Sequence, residues 1–410
     1  MAAHVQWTGR PASKEHEHPY RAPPAPSNPV VRGLPLYYGA KIITSSTLIQ
    51  NLLWGNAGFD SLRNRAELEG VEPRYEPLVV KSSGTRVSTA EALQTLSNED
   101  WTSRTPSEKL YPGILDYHEA YKTGRTTPTA VAKVLLPLVR RDADIPSRHS
   151  VAFLSSRVDL VMLAAEASTK RYKEGKSLGP LDGVPVAVKD EEDVTGYPKC
   201  VGSKLDLKDK HDATSYCVQA WQDAGAVLIG KTNMHEHGMD TTNNSVSSLK
   251  DLTPANQVLM SVGSKTPGVD FLQAQKMRML LMQHLAHLYE NHPGMIIVTP
   301  TTPNAGWTFE PQDLKYGCSN GNMSLRSMEY VWLANLTGCP AISVPAAYLE
   351  PEKGTGRIPI GFMGMGEWCS EDELLAFGYD CERYLHDVYE NGRVRPATYV
   401  EVLEAARAEP

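Results

Sequence analysis

The chain has 410 residues, 41% of them hydrophobic and 22% charged, with 48 acidic against 41 basic side chains. That length and balance belong to a globular protein of one large domain or two ordinary ones. A net charge of −7 without a dense Lys/Arg cluster argues against a nucleic-acid surface, and no apolar run approaches the ~20 residues that span a bilayer.

Residues 1 to about 32 are polar and proline-rich, as in His18-Pro19-Tyr20-Arg21-Ala22-Pro23-Pro24-Ala25-Pro26, and hold no apolar core of a secretory signal. Such a composition cannot bury enough surface to offset the entropy of ordering, so a loose tail is expected. From 33 to about 105, short apolar pieces alternate with turn signals. Leu48 to Trp54 reads as a short helix and Tyr75 to Val80 as a strand.

From Tyr111 the pattern sharpens. Ile114, Tyr117, Ala120 and Tyr121 fall at helical spacing. Thr127 before Pro128 predicts a helix start, and Val131, Val134, Leu135 and Val139 carry its apolar stripe. A third helix is predicted from about Arg157 to Tyr172, stopping near Gly175. A strand ending at Lys189 follows, then a helix over Ser215 to Asp223, a stop at Gly225, and a strand over Ala226 to Ile229.

No clear period runs from Ser245 to Pro267. A helix follows from about Phe271 to Tyr289, with Phe271, Leu272, Met279, Leu285 and Leu288 near one face. His292-Pro293-Gly294 closes it. Met295 to Val298 reads as a strand, Glu329 to Leu336 as a helix, Ala341 to Val344 and Ile358 to Met363 as strands, and Glu371 to Tyr389 as a last helix. The alternation predicts an α/β fold, a mixed sheet flanked by helices. The expected divisions are 1–105, a tail and extension, then 106–245 and 246–410, two parts of one domain. Cysteines at 200, 217, 318, 339, 369 and 381 form no Cys-x-x-Cys pair, which reads as free thiols in a reducing compartment such as the cytoplasm.

One residue stands out chemically. Lys189 ends the apolar run Val184-Pro185-Val186-Ala187-Val188. An amine desolvated by such a run loses protons more easily and can serve as a base toward a hydroxyl nucleophile. Equally, a lysine at a strand end can extend its amine to water. Spacing leaves both open.

The segment Gly179-Pro180-Leu181-Asp182-Gly183-Val184-Pro185-Val186-Ala187-Val188-Lys189-Asp190 resembles the lysine-bearing motif of the amidase signature family. Four more segments agree in order: Gly225 to Met234, Thr299-Pro300-Thr301-Thr302-Pro303, Asn335 to Pro345, and Ile358-Pro359-Ile360-Gly361-Phe362. The resemblance spans roughly 110–390, broken near 245. It implies hydrolysis of small-molecule amides without a cofactor, by a Ser–cis-Ser–Lys triad in which Lys189 is the base. The lysine takes a proton through the middle serine, the outer serine attacks the carbonyl, and backbone N–H groups of a glycine-rich loop hold the oxyanion.

Members carry a Gly-Gly-Ser-Ser-Gly-Gly-type segment after the unit matched by Gly225 to Met234. No such segment follows Lys189 here. The chain passes from the loop Met234 to Asn244 almost at once to the family's late helix, with a join between Ser245 and Asp251. The absent block implies an incomplete sheet. Ser264, in Ser261-Val262-Gly263-Ser264, is the nearest glycine-flanked substitute nucleophile, set against an ordinary loop serine before a helix. Ser245, Ser247 and Ser248 read as loop. His235 and His237 could chelate a metal only if both lay on one strand face, and no third ligand stands near them. Two readings of function follow: an amide hydrolase impaired by loss of both serines, or a non-catalytic relic that binds a ligand or partner.

Overall fold

The structure, a computed structural model, describes residues 7–17, 29–76, 79–80, 111–203, 207, 212–238, 252–306, 308, 310–390 and 392–407. The expected tail at His18 to Pro26 and the join from Ser245 to Asp251 lie outside these residues.

In chain order come β1 (Trp7–Thr8), β2 (Val31–Arg32), α1 (Gly33–Ser45), α2 (Thr47–Asn56) and β3 (Val79–Val80). Next are α3 (Ile114–Lys122), α4 (Pro128–Val139), β4 (Phe153–Ser155), α5 (Val158–Lys173), β5 (Pro185–Lys189), α6 (Tyr216–Asp223) and β6 (Val227–Thr232). After the join stand α7 (Pro254–Gly263), α8 (Gly268–Asn291), β7 (Ile297–Pro300), α9 (Asp313–Tyr316), β8 (Cys318–Ser319), α10 (Gly321–Ser327), α11 (Trp332–Thr337), β9 (Ala341–Leu349), β10 (Ile358–Met365), α12 (Glu371–Asp387) and α13 (Val402–Ala405).

Most predicted elements form for the reasons read from sequence. Thr127 caps α4 by accepting the Ala130 N–H at 3.1 Å, ahead of Pro128. Gly225 stops α6 at φ +90°. Besides the short α9, α10 and α13, two longer helices were not legible. In α1, Pro35 and Gly39 disguise the helical pattern, and α7 begins at Pro254 within a stretch that shows no period. The apolar face read for α8 also needs correction. Phe271 and Leu272 are exposed, while Leu280, Met282, Leu285, Ala286 and Tyr289 are buried. Phe271 stacks on Tyr75 at 6.3 Å and so finds its apolar neighbour at the surface.

The chain forms two compact units. The first comprises Met1–Thr85 and Pro254–Arg393, the second Arg86–Thr253 and Val394–Pro410. In the first, β10 lies between β7 and β9, antiparallel to both. Its core gathers Met282, Leu285, Ala286 and Tyr289 of α8 with Ala334, Cys339, Met365 and Trp368. The Trp368 indole N–H donates to the Thr337 carbonyl at 3.0 Å, so the ring is buried without a stranded donor.

In the second unit the strand order is β4-β6-β5, with β4 antiparallel and β5 parallel to β6. Val227 and Ile229 point to one face, against Ala132, Leu136 and Val139 of α4 and Val161 and Ala165 of α5. Leu228 points to the other, with Val188, Val194, Tyr197 and Val218. The central strand is therefore covered on both faces, as parallel pairing within a helix-flanked sheet requires. This is the predicted mixed α/β arrangement, built as small sheets.

Candidate active site

The five family-like segments gather into two clusters. Thr299 to Pro303, Asn335 to Pro345 and Ile358 to Phe362 meet on the β7-β10-β9 sheet, where Phe362 is in register with both Pro300 and Val344. There the Thr301 and Ser343 hydroxyls share a hydrogen bond at 2.6 Å. Gly179 to Asp190 and Gly225 to Met234 meet as the β5–β6 pair.

The loop leading into β5 is fixed by Asp182, whose side chain is fully buried. Its Oδ1 accepts from the Ser168 hydroxyl at 2.6 Å and Arg171 Nη2 at 2.5 Å; its Oδ2 accepts from Arg171 Nε and the Leu178 N–H, both at 3.0 Å. Burial alone would raise this carboxyl, but the bonds from Arg171, Ser168 and Leu178 prevail and hold it below the usual carboxylate value. Two glycines make room for the loop. A Cβ on Gly225 would stand 2.6 Å from Asp182 Oδ1, and one on Gly183, at φ +79°, would stand 2.5 Å from Pro128 Cγ. The Tyr121 hydroxyl donates to the Gly183 carbonyl at 3.1 Å.

At the far end of β5 the structure departs from the dry lysine suggested by sequence. The Lys189 side chain is 45% exposed, and its Nζ lies 2.9 Å from Glu191 Oε1. The reason is position. Strand β5 is the edge of its sheet, and Val188 takes the buried face while Ala187 and Lys189 take the exposed one. Of the apolar run only Val184 and Val188 are buried, and the amine is not.

The buried lysine is Lys231, on the central strand. Its side chain and that of Asp190 have 0% exposure, with Nζ and Oδ1 3.0 Å apart. Nζ also donates to the carbonyls of Asp190 and Pro198, each at 3.1 Å. Asp190 Oδ2 accepts from the backbone N–H groups of Cys200 and Gly202 at 3.1 and 3.3 Å, and from the Cys200 thiol at 3.1 Å. Burial, and then the bond to Asp190, pushes the Cys200 thiol up to about 11. This network ties the 190–202 loop to β6, directly after Lys189. The sequence did carry a signal for it: Lys231 follows Val227-Leu228-Ile229-Gly230, as apolar a run as the one before Lys189.

Ser264 belongs to the other unit, just past α7. It is exposed, and its hydroxyl donates to the Ser261 carbonyl at 2.8 Å, the habit of a serine at a helix end. Ser245, Ser247 and Ser248 lie outside the described residues, and no cis peptide bond occurs among the described ones. His235 precedes a 3₁₀ turn, Glu236–Gly238, and His237 lies inside it, so the two do not share a strand face. Glu236 between them is fully buried and accepts from the Thr253 N–H at 3.1 Å and hydroxyl at 3.4 Å, bracketing the join. Among the described residues no group of three or more His, Cys, Asp or Glu is placed to hold a metal.

A family model described as Amidase matches residues 141–264 and 243–375, together more than half of the chain. The fatty acid amide hydrolase of Arabidopsis thaliana is 31% identical over 189 residues, 44% of this chain and 31% of that protein. The fatty acid amide hydrolase of Medicago truncatula is 37% identical over 138 residues, 33% of this chain and 22% of that protein. One subunit of the mitochondrial glutamyl-tRNA(Gln) amidotransferase of Mus musculus is 40% identical over 123 residues, 29% of this chain and 22% of that protein. The matches thus span about a third or less of these relatives' length. Among solved structures, native peptide amidase from Stenotrophomonas maltophilia is similar at 12% identity and a TM-score of 0.47, over 67% of this chain and 97% of that one.

Proposed function

Because the chain belongs to the amidase family, we propose that it derives from hydrolases of carboxamide C–N bonds and that its own turnover is impaired. Lys189 keeps the position of the family's base, and the observation that carries the reading is its setting. The amine stands in solvent beside Glu191, and no Gly-Ser-Ser-Gly segment follows it in sequence. A general base works from a dry site within reach of its hydroxyl partner, and the exposed, ion-paired amine has no such setting. A serine hydroxyl without a base is a poor nucleophile. The match of the family model in two segments that share residues 243–264, across the join, supports a block missing between the parts 106–245 and 246–410.

The substrate class would be a small amide, with no cofactor required. The alternative, a working hydrolase with Ser264 as nucleophile, has no geometric support, since that hydroxyl is engaged with its own helix. Hydrolysis of simple aryl amides by the purified chain and by Lys189→Ala separates the two. Equal rates at the uncatalysed level support impairment. A rate above background that Lys189→Ala abolishes overturns it, and a further loss in Ser264→Ala would identify the nucleophile. Sequencing the transcript across Ser245 to Asp251 tests the join itself: a message that encodes the Gly/Ser-rich block there would remove the basis for impairment.

A further inference from the structure

Two guanidinium groups meet where the segment 71–76 runs along α8. Arg74 is only 5% exposed. Its backbone N–H donates to the Gln275 carbonyl at 3.2 Å, its Nε to the Glu76 carbonyl at 3.2 Å, and its Nη2 to the Gly9 carbonyl. From α8, Arg278 Nη1 reaches the Arg74 carbonyl at 3.5 Å. Phe271, Gln275 and Arg278 share one face of α8 at helical spacing, and Tyr75 stacks on Phe271, which fixes the segment along that face.

The contact brings two like charges together. Burial first, and then the nearness of Arg278, hold the Arg74 guanidinium below its usual value, and the exposed Glu76 only partly offsets them. Among the described residues neither arginine forms an ion pair with a carboxylate, and their bonds go to backbone carbonyls. Buried charges are ordinarily paired. Arg278 Nε and Gln275 Oε1 are also buried, and neither finds a hydrogen-bond partner among the described residues. Native proteins leave few such atoms unsatisfied, and here they gather around uncompensated positive charge.

Charge and donor geometry identify the ligand. Guanidinium forks match the oxygens of an oxyanion. A phosphoryl group carries about −1.5 to −2 at neutral pH and offers three acceptor oxygens. It can neutralise both arginines at once, whereas a monocarboxylate neutralises only one. We propose that Arg74 and Arg278 form a binding site for a phosphoryl group, held between the segment 71–76 and α8. Inorganic phosphate and a phosphomonoester share this chemistry. The inference does not depend on the reading of Lys189.

Isothermal titration of the full chain with inorganic phosphate, at an ionic strength held constant with chloride, tests it. Binding is expected, and Arg278→Met should weaken it about tenfold or more, the share of one charge-assisted hydrogen bond. That substitution removes only the long bond to the Arg74 carbonyl, so without phosphate its circular-dichroism melt should match the parent's. Phosphate should then raise the midpoint of the parent alone. Arg278→Lys keeps the charge without the fork and should bind between the two. Arg407→Met, in the other unit, should bind like the parent. Phenyl phosphate separates the two sources. Tighter binding than inorganic phosphate assigns the site to a phosphomonoester, and weaker binding to phosphate itself; both support the site. The proposal is overturned if neither compound binds, if acetate binds as tightly as they do, or if Arg278→Met binds phosphate undiminished.

Discussion

Lys231→Met is the perturbation that tests the architecture behind Lys189 most directly. It keeps a long side chain in place and removes the charge. Asp190 then retains the Cys200 and Gly202 N–H donors on Oδ2, but Oδ1 loses the cation that stands 3.0 Å away with both side chains at 0% exposure. Removing one partner of a buried pair costs roughly 3–5 kcal/mol, because the other charge is stranded. At ~2–4 °C per kcal/mol for a unit of this size, the midpoint of thermal unfolding should fall by roughly 6–20 °C. Adding Asp190→Asn removes the stranded charge, so the double variant should melt above Lys231→Met alone. Circular-dichroism melts measure both effects, and hydrogen exchange at the β6 amides assigns them to the second unit. A Lys231→Met chain that melts with the parent, or a double variant in which the two losses simply add, refutes the account of a coupled pair.

Three further outcomes can be checked, two of them in the same unit. The Asp182 carboxyl is held below its usual value, so its contribution is complete above its unfolded pKa of ~3.9 and disappears as pH falls through the lower folded value. The urea midpoint should therefore drop on acidification below about pH 4, and Arg171→Met should flatten that drop; equal midpoints at both ends of the range would contradict it. Gly225→Ala, at φ +90° with its new Cβ 2.6 Å from Asp182 Oδ1, should lower stability by at least ~2 kcal/mol, measured by the same melts. Burial chiefly pushes the Cys200 and Cys339 thiols up to about 11; Cys217 and Cys369 are exposed, although partial burial and then Glu371 also raise the Cys369 thiol. Iodoacetamide at mildly alkaline pH should therefore label Cys217 and Cys369 first, read by peptide mass spectrometry, and prompt labelling of Cys339 in the folded chain would contradict its burial.

The order of chemistry along the chain was legible without coordinates. The Gly179 to Asp190 motif, its four companions and the missing serine segment are strings of residue types, and local rules read them. So were α3, from its apolar spacing, and α4, from its Thr127 cap and apolar stripe, because a cap and a 3.6-residue period are local properties. Helix α1 escaped because Pro35 and Gly39 interrupt the pattern that those rules seek, and α7 because the stretch from Ser245 to Pro267 shows no clear period. What no local rule could decide is which lysine is dry. Lys189 and Lys231 each follow an apolar run, and burial depends on where the strand lies in the sheet. Strand β6, between β4 and β5, is covered on both faces and forces its amine to find Asp190, whereas β5 ends the sheet and leaves Lys189 to water and Glu191. Strand order is set by contacts between residues far apart in sequence, and so only the tertiary structure resolves it.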